Sequence, residues 1–463
     1  MLGSGADRVA ATGGLMSRLR QLLAATLWAG SALVAQAAPT VYPTGTTLLD
    51  PLATWNGYTV LTLLRPPGVV VIDMNGRVVK QWDGFDNAAG GPARVLPGGE
   101  VIAAAGARPG HQEALELVHR DFAGNILWRQ TAGGAPAGPL RQHHDWQRAD
   151  LPAGYYSPEA KPASRGTATL VLTHVTHVQR EVTERVLEDD RLTELAPDGR
   201  ILWEWTAGEH IGEFGFDAAA RAAIRDGAGA GPDAARGFDW LHLNSATYVG
   251  PNHWFDGGDE RFAPENVIIS SRQASFLAII DRRGKVVWRI GPDFREPEAL
   301  RRIGQMIGQH HAHLIPKGLP GAGDLLVFDN GGASGYGFSN PIAPNGYGAL
   351  ARANSRVLEI NPVTLELVWS YAPRDRFFST NISSAQRLPN GNTLICEGAG
   401  GRVFEVTSGG RIVWEFMNPF FENGRDDIYR AYRIPYDWLP QVAPATAVAV
   451  TPPPPSTFTL PSR

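Results

Sequence analysis

The stretch "LAIIDRRGKVVW", Leu277–Trp288, sets an apolar strand, a Gly-containing turn, a second apolar strand and a closing tryptophan in twelve residues. Apolar alternation around such a turn is the pattern of a β-hairpin. The unit recurs as "VVVIDMNGRVVKQW" (Val69–Trp82), "LELVHRDFAGNILW" (Leu115–Trp128), "LTELAPDGRILW" (Leu192–Trp203), "VLEINPVTLELVW" (Val357–Trp369) and "VFEVTSGGRIVW" (Val403–Trp414). The fifth copy in chain order, Val357–Trp369, has no glycine in its turn. Successive closing tryptophans lie 46, 75, 85, 81 and 45 residues apart. The short spacings fit one four-stranded propeller blade, and the long ones a blade plus an insertion. A single blade cannot bury both faces of its sheet, whereas blades stacked around an axis can.

Upstream of most hairpins stands a second recurring segment: "ARVLPGGEVIAA" from Ala93, "NSATYVGPN" from Asn244, "HAHLIPKG" from His311 and "AQRLPNGNTLIC" from Ala385. It is expected to form the strands nearer the axis. The fold expected is all-β: a six-bladed β-propeller over residues 41–440 with helical insertions between blades. "IYRAYRIPYDW" (Ile428–Trp438) is expected to close the ring on the first blade, and each repeated tryptophan to pack between neighbours. The insertions Phe216–Trp240 and Arg295–Gln309 read as helical, and the Pro-rich residues 441–463 as a disordered tail.

Residues 1–37 read as a signal peptide, with Met16 an alternative start. A basic "MSRLR" precedes an apolar run that ends in Ala35-Gln36-Ala37, a small-x-small cleavage site. A periplasmic or secreted location follows, without a stable membrane anchor. The lone cysteine, Cys396, has no partner in the chain and reads as a packed thiol. A formal charge of −4 gives no reason to expect nucleic acid as a partner. The oligomeric state is not legible in these patterns.

The twelve histidines are unevenly placed. "QHHDWQ" (Gln142–Gln147), "DWLHLNS" (Asp239–Ser245) and "QHHAH" (Gln309–His313) stand where three consecutive blades begin their inner strands. Propeller geometry points such positions into one central cavity, with Asp145, Asn244 and Asp329 nearby. His111, His119, His210 and His253 lack this placement and read as surface or loop residues. His174 and His177 read as strand positions, with His174 the one of the two that could reach the channel. Converging imidazoles act as nucleophiles or acid-base groups, or bind a metal such as zinc while leaving a position open. The residues alone leave both open.

The Trp-ended hairpins, "DWLHLNS", "QHH" followed by "LLVFDNG", and "LPNGNTL" together resemble the bacterial arylsulfate sulfotransferases, exported six-bladed propellers. The resemblance implies sulfuryl transfer from a small aryl sulfate to a phenol without a nucleotide donor, through a transient sulfo-histidine flanked by two histidines and an arginine. No cofactor is implied. His242 and His310 match the family's first two histidines, with His311 the alternative if the register slips by one. The family's nucleophilic histidine falls on Arg402, and its arginine has no counterpart between Asn330 and Arg352. His144 is the substitute candidate for a catalytic role. Arg402, Asn244 and Asn330 are expected to bind the anionic substrate. Two rivals remain: a metal-dependent lyase or hydrolase with His144, His242 and His310 as ligands, and a non-catalytic anion-binding propeller.

Overall fold

The computed structural model describes residues 44–452 except 87–90, 109–110, 132–139, 153–154, 164, 231–236 and 375. The expected signal peptide and the last eleven residues lie outside the described residues. Antiparallel strands dominate. Short helices span Ala218–Arg225 and Glu298–Ile303, inside the two insertions expected to be helical.

The strand pairings make three four-stranded sheets, one of five strands, one of eight and one of two. This departs from an expectation of six separate four-stranded sheets. The hairpins ending at Trp128 and Trp203 belong to the one eight-stranded sheet, whose halves are joined by the single pair Ala114–Gln142. The five-stranded sheet carries Gly45–Leu49 as an extra strand against Ile412–Met417. At the other end of the chain, Ile428–Ile434 pairs with Tyr58–Leu64, the closure expected from the sequence. The strands Gly45–Leu49 and Ile428–Ile434 thereby stitch the first and last repeats together.

The repeated tryptophans have a double role. Each buries ring surface between neighbouring repeats, and each indole Nε1–H donates to a backbone carbonyl in the hairpin turn of the next repeat. Trp82 donates to Asp121 (3.0 Å), Trp128 to Pro197 (3.4 Å) and Trp203 to Arg282 (3.1 Å). Trp288 donates to Pro362 (2.7 Å), Trp369 to Ser408 (2.7 Å), and Trp414 back to Met74 (2.9 Å). The series closes on itself. An indole N–H packed between repeats needs such a partner, and the turn carbonyl supplies one at 2.7–3.4 Å in every case. The hydrophobic clusters follow the same circuit. Tyr58, Val60 and Val71 pack on Val95, Val101 and Ala103, while Leu61 and Val70 pack on Cys396, Val403 and Trp414.

In five turns a glycine takes the left-handed conformation, for example Gly76 at φ 79° and Gly284 at φ 83°. In the glycine-less hairpin Leu365 adopts φ 60° instead, and the Asn361 side chain caps the turn by accepting from Val363 and Thr364 N–H.

The expected disordered tail is corrected for residues 441–452. Val450 pairs with Leu49 through two backbone hydrogen bonds of 2.9 Å, and Thr446 O and Val448 N both bond the Asn75 side chain. The strand Gly45–Leu49 has a free edge whose backbone groups need partners. The tail supplies one at Leu49, which composition does not reveal.

Candidate functional site

At or near the start of three consecutive inner strands stands a histidine in the left-handed backbone region: His144 (φ 54°), His242 (φ 50°) and His311 (φ 51°). Ile382 (φ 50°) takes the same conformation at the start of the next. Non-glycine residues pay about 1–2 kcal/mol for this conformation, and such strain gathers at functional sites. The pairing register shifts beside each of the three histidines, so neighbouring side chains leave strict alternation.

The result is a cavity of about 470 Å³ lined by His144, His242 and His310 together with Arg65, Arg272, Arg425 and Tyr429. The His144 and His242 rings meet edge to face with centroids 4.4 Å apart. Asp239 Oδ2 accepts from His242 Nδ1 at 2.5 Å. A carboxylate only accepts, so this bond places a proton on Nδ1, and in the neutral form of the ring the Nε2 lone pair is then available. Burial raises the Asp239 carboxyl, but the His242 ring and its hydrogen bond outweigh that and hold it well below the usual range.

His310 is fixed differently. Asn330 Nδ2 donates to Ser379 O (2.8 Å) and Ile382 O (3.1 Å), so its Oδ1 must receive His310 Nδ1–H at 2.7 Å. His310 Nε2 then accepts from Ile382 N–H at 3.2 Å. Burial pushes the His310 and His144 imidazoles well below their usual pKa, leaving both neutral at pH 7. Asn330, expected to bind the substrate, is buried, has its side chain engaged by these bonds and is not among the cavity-lining residues.

Asn244 also departs from expectation. Its Nδ2 donates to Gln309 O at 2.7 Å, and its backbone carbonyl accepts from Arg430, tying adjacent inner strands together beneath the cavity. His311 turns away from the His144–His242 pair. Its ring lies 4.5 Å from His313 and 5.8 Å from Tyr432, deeper along the axis. Of the two adjacent histidines in "QHHAH", His310 lines the cavity, and His311 stands in the left-handed conformation beside it.

Arg402 is not among the cavity-lining residues. Its guanidinium is held by Glu397 (3.1 Å) and Glu415 (2.6 Å) and lies over the Phe404 ring. Two carboxylates already neutralise it, so it is no anion anchor. The cations facing the cavity are Arg65, Arg272 and Arg425, none of them expected from sequence. Arg65 and Arg425 share Asp427. Arg272 sits directly after the strand Val267–Ser271, with its backbone N–H on His242 O at 3.2 Å. A charged residue at that strand end, beside a histidine-bearing neighbour, is the signal that could have found it.

The metal set His144, His242 and His310 is not supported either. Among the described residues, the groups whose ligand atoms all lie within 4.8 Å of one another are His143/His174/Asp190 and His111/Glu113/Glu188. His119 is also buried, its Nε2 2.8 Å from Glu100, and is no surface residue. A larger cavity, about 640 Å³, is lined by Leu151, Tyr248, Pro264 and Pro316 among others and contains none of the expected site residues.

His313 offers a stability readout. Burial pushes its imidazole down to about 4 from an ordinary 6.5. Below about pH 6.5 the unfolded chain takes up a proton that the folded chain refuses, so stability falls as the pH is lowered toward about 4. Urea unfolding at stepped pH should show this decline, and His313→Gln should lessen it.

Among solved structures, a protein of unknown function from Bacteroides caccae aligns at TM-score 0.44 and 11% identity, over 82% of this chain and 99% of its own. A catalytically inactive virginiamycin B lyase from Staphylococcus aureus with quinupristin aligns at 0.35 and 11%, over 82% and 86%. Likenesses this weak decide nothing about the site. No curated protein matches the chain. Among the described residues, no helix is long and apolar enough to cross a membrane. The arylsulfotransferase (ASST) family model, by contrast, matches residues 144–416, which take in His144, His242 and His310 and more than half of the sequence, and the chain belongs to that family.

Proposed function

We propose that this chain is an exported six-bladed propeller enzyme that transfers a sulfuryl group from an aryl sulfate to a phenolic acceptor, through a transient sulfo-histidine on His242. The observation that carries the reading is the Asp239-oriented His242 inside a cavity ringed by Arg65, Arg272 and Arg425. The count of six rests on the closed circuit of six tryptophan-to-turn hydrogen bonds, with the eight-stranded sheet taken as two blades. Export rests on the sequence pattern of residues 1–37, and places the enzyme in the periplasm or outside the cell.

In the first half-reaction His242 Nε2 attacks sulfur, an N–S bond forms, the S–O(aryl) bond breaks, and the phenolate departs with the electron pair. In the second, the acceptor phenol oxygen attacks sulfur, the N–S pair returns to Nε2, and the phenol proton goes to bulk solvent. Charge spreads over the sulfuryl oxygens in both transition states, so guanidinium groups already in place stabilise them. His144, edge to face with His242, borders the same space. His310, with both nitrogens engaged, holds one wall in position.

Purified protein given a chromogenic aryl sulfate and phenol should release the chromophore and form phenyl sulfate. No turnover across a panel of aryl sulfates would overturn the reading. Arg402→His should bring no gain in transfer, because position 402 faces Glu397 and Glu415. It should also lower the thermal midpoint by leaving those carboxylates without their guanidinium. A rise in rate would return the nucleophile to that position.

A further inference from the structure

We propose that His143, His174 and Asp190 form a binding site for one divalent transition-metal ion, with zinc or cobalt the fitting class, directly behind the His144–His242 cavity.

The three side chains come from three adjacent strands, Gln142–Arg148, Thr169–Val178 and Val186–Leu195. The His143 and His174 rings stack with centroids 3.6 Å apart and carry both Nε2 atoms on the Asp190 side, so in-plane coordination of one tetrahedral ion requires the two rings to splay. Asp190 Oδ1 lies 3.2 Å from His143 Nε2 and 3.9 Å from His174 Nε2. Two ligands on a tetrahedral ion stand about 3.3 Å apart, given metal–ligand bonds of about 2.0–2.1 Å. His143 and Asp190 have no exposed surface, and His174 is 7% exposed.

None of the three converging atoms has a hydrogen bond of acceptable geometry. Their remaining atoms are committed elsewhere. His174 Nδ1 faces Glu113 Oε1 at 3.0 Å, which puts its proton on Nδ1 and turns a lone pair toward Asp190. Asp190 Oδ2 accepts from Leu243 N–H at 3.1 Å, leaving Oδ1. A lone pair facing a carboxylate oxygen in a buried site is unfavourable unless a proton or a metal cation lies between; the three converging atoms of two histidines and one carboxylate are the donor set of a metal ion. A carboxylate on the far nitrogen of a ligating histidine is the usual outer support of a metal site. The neighbouring set His111, Glu113 and Glu188 is the weaker choice, because Arg141 (2.7 Å) and Arg108 (2.9 Å) already neutralise Glu113.

Placed there, an ion would take the His143 Nε2 lone pair and leave its proton on Nδ1, 2.9 Å from His144 Nδ1. His144 Nδ1 then accepts and its Nε2 carries the proton, so His144 becomes a hydrogen-bond donor beside His242. This last consequence rests on the sulfuryl-transfer reading; the binding site does not.

The test uses tag-free full chain stripped with a chelator and desalted. Zinc alone, titrated calorimetrically, should bind at one equivalent and raise the thermal midpoint. Cobalt alone should give a visible d–d absorption. Asp190→Asn and His174→Ala should each weaken binding by about a hundredfold or more, Glu113→Gln by about tenfold to a hundredfold, and His242→Ala should leave binding unchanged. No zinc uptake by the folded wild type overturns the proposal, as does unchanged affinity in folded Asp190→Asn. If His174→Ala does not fold, the wild-type titration and Asp190→Asn decide alone. Zinc binding without aryl sulfate turnover would retain the metal site and remove the sulfuryl-transfer reading, and the reverse result would do the opposite.

Discussion

His242→Ala should lower kcat for aryl sulfate turnover by about a hundredfold or more, while KM changes little and the unfolding midpoint stays near that of the wild type. Positioned proton-transfer groups alone contribute about 10²–10⁴, and a lost nucleophile costs at least as much. The side chain is 16% exposed and faces the cavity, so its removal leaves no sealed void. Asp239→Ala should follow with a smaller loss in kcat, since it frees the ring to adopt the other tautomer. The sharper measurement is the intermediate: enzyme quenched with donor and no acceptor should carry one sulfuryl group on His242. A label on His144, or a His242→Ala enzyme with full kcat, would move the nucleophile along the wall of the cavity.

The tryptophan repeat was legible because one residue type meets two demands at each position. It fills the gap between sheets and gives its N–H to the next turn, so any other side chain would be poorer at every repeat. The axial histidines were legible as a group for a related reason: strand starts in successive repeats face one axis. What failed was individual aim. Whether His310 or His311 reaches the cavity depends on a left-handed residue and a register shift, and φ is not written in residue type outside glycine. Arg402 was misread because its partners Glu397 and Glu415 come from the two strands beside its own, and only pairing register brings them together. The cavity's arginines arrive from three separate segments, so no local motif marks them. The His143–His174–Asp190 convergence was missed for the same reason: it depends on strand order across one sheet, and His174, though able to reach the channel, had no visible partner in the sequence.

Asp145→Ala should destabilise the fold by about 3–5 kcal/mol, the cost of removing one partner from a buried ion cluster. Asp145 has no exposed surface, and the guanidiniums of Arg94 and Arg430 are 1% exposed. Its Oδ2 lies 3.1 Å from Arg430 and its Oδ1 3.6 Å from Arg94, while Trp146 and Ala246 N–H groups take its remaining acceptor capacity. The alanine variant leaves two buried cations without the carboxylate between them. Tyr155, whose ring lies 4.0 Å from the Arg94 guanidinium, supplies only a partial substitute for a carboxylate. Arg430 also bonds Asn244 O at 2.9 Å, so its displacement loosens the strand that carries His242. Urea unfolding at neutral pH should show a lower midpoint with an unchanged slope. The surface pair Arg302–Glu298 is the control: it spans one helical turn at 2.6 Å with both side chains largely exposed, and Glu298→Gln should cost no more than about 0.5 kcal/mol. A loss below about 1 kcal/mol for Asp145→Ala would mean that water reaches the axis. The fold would then owe its closure to the tryptophan circuit and the two terminal strands alone.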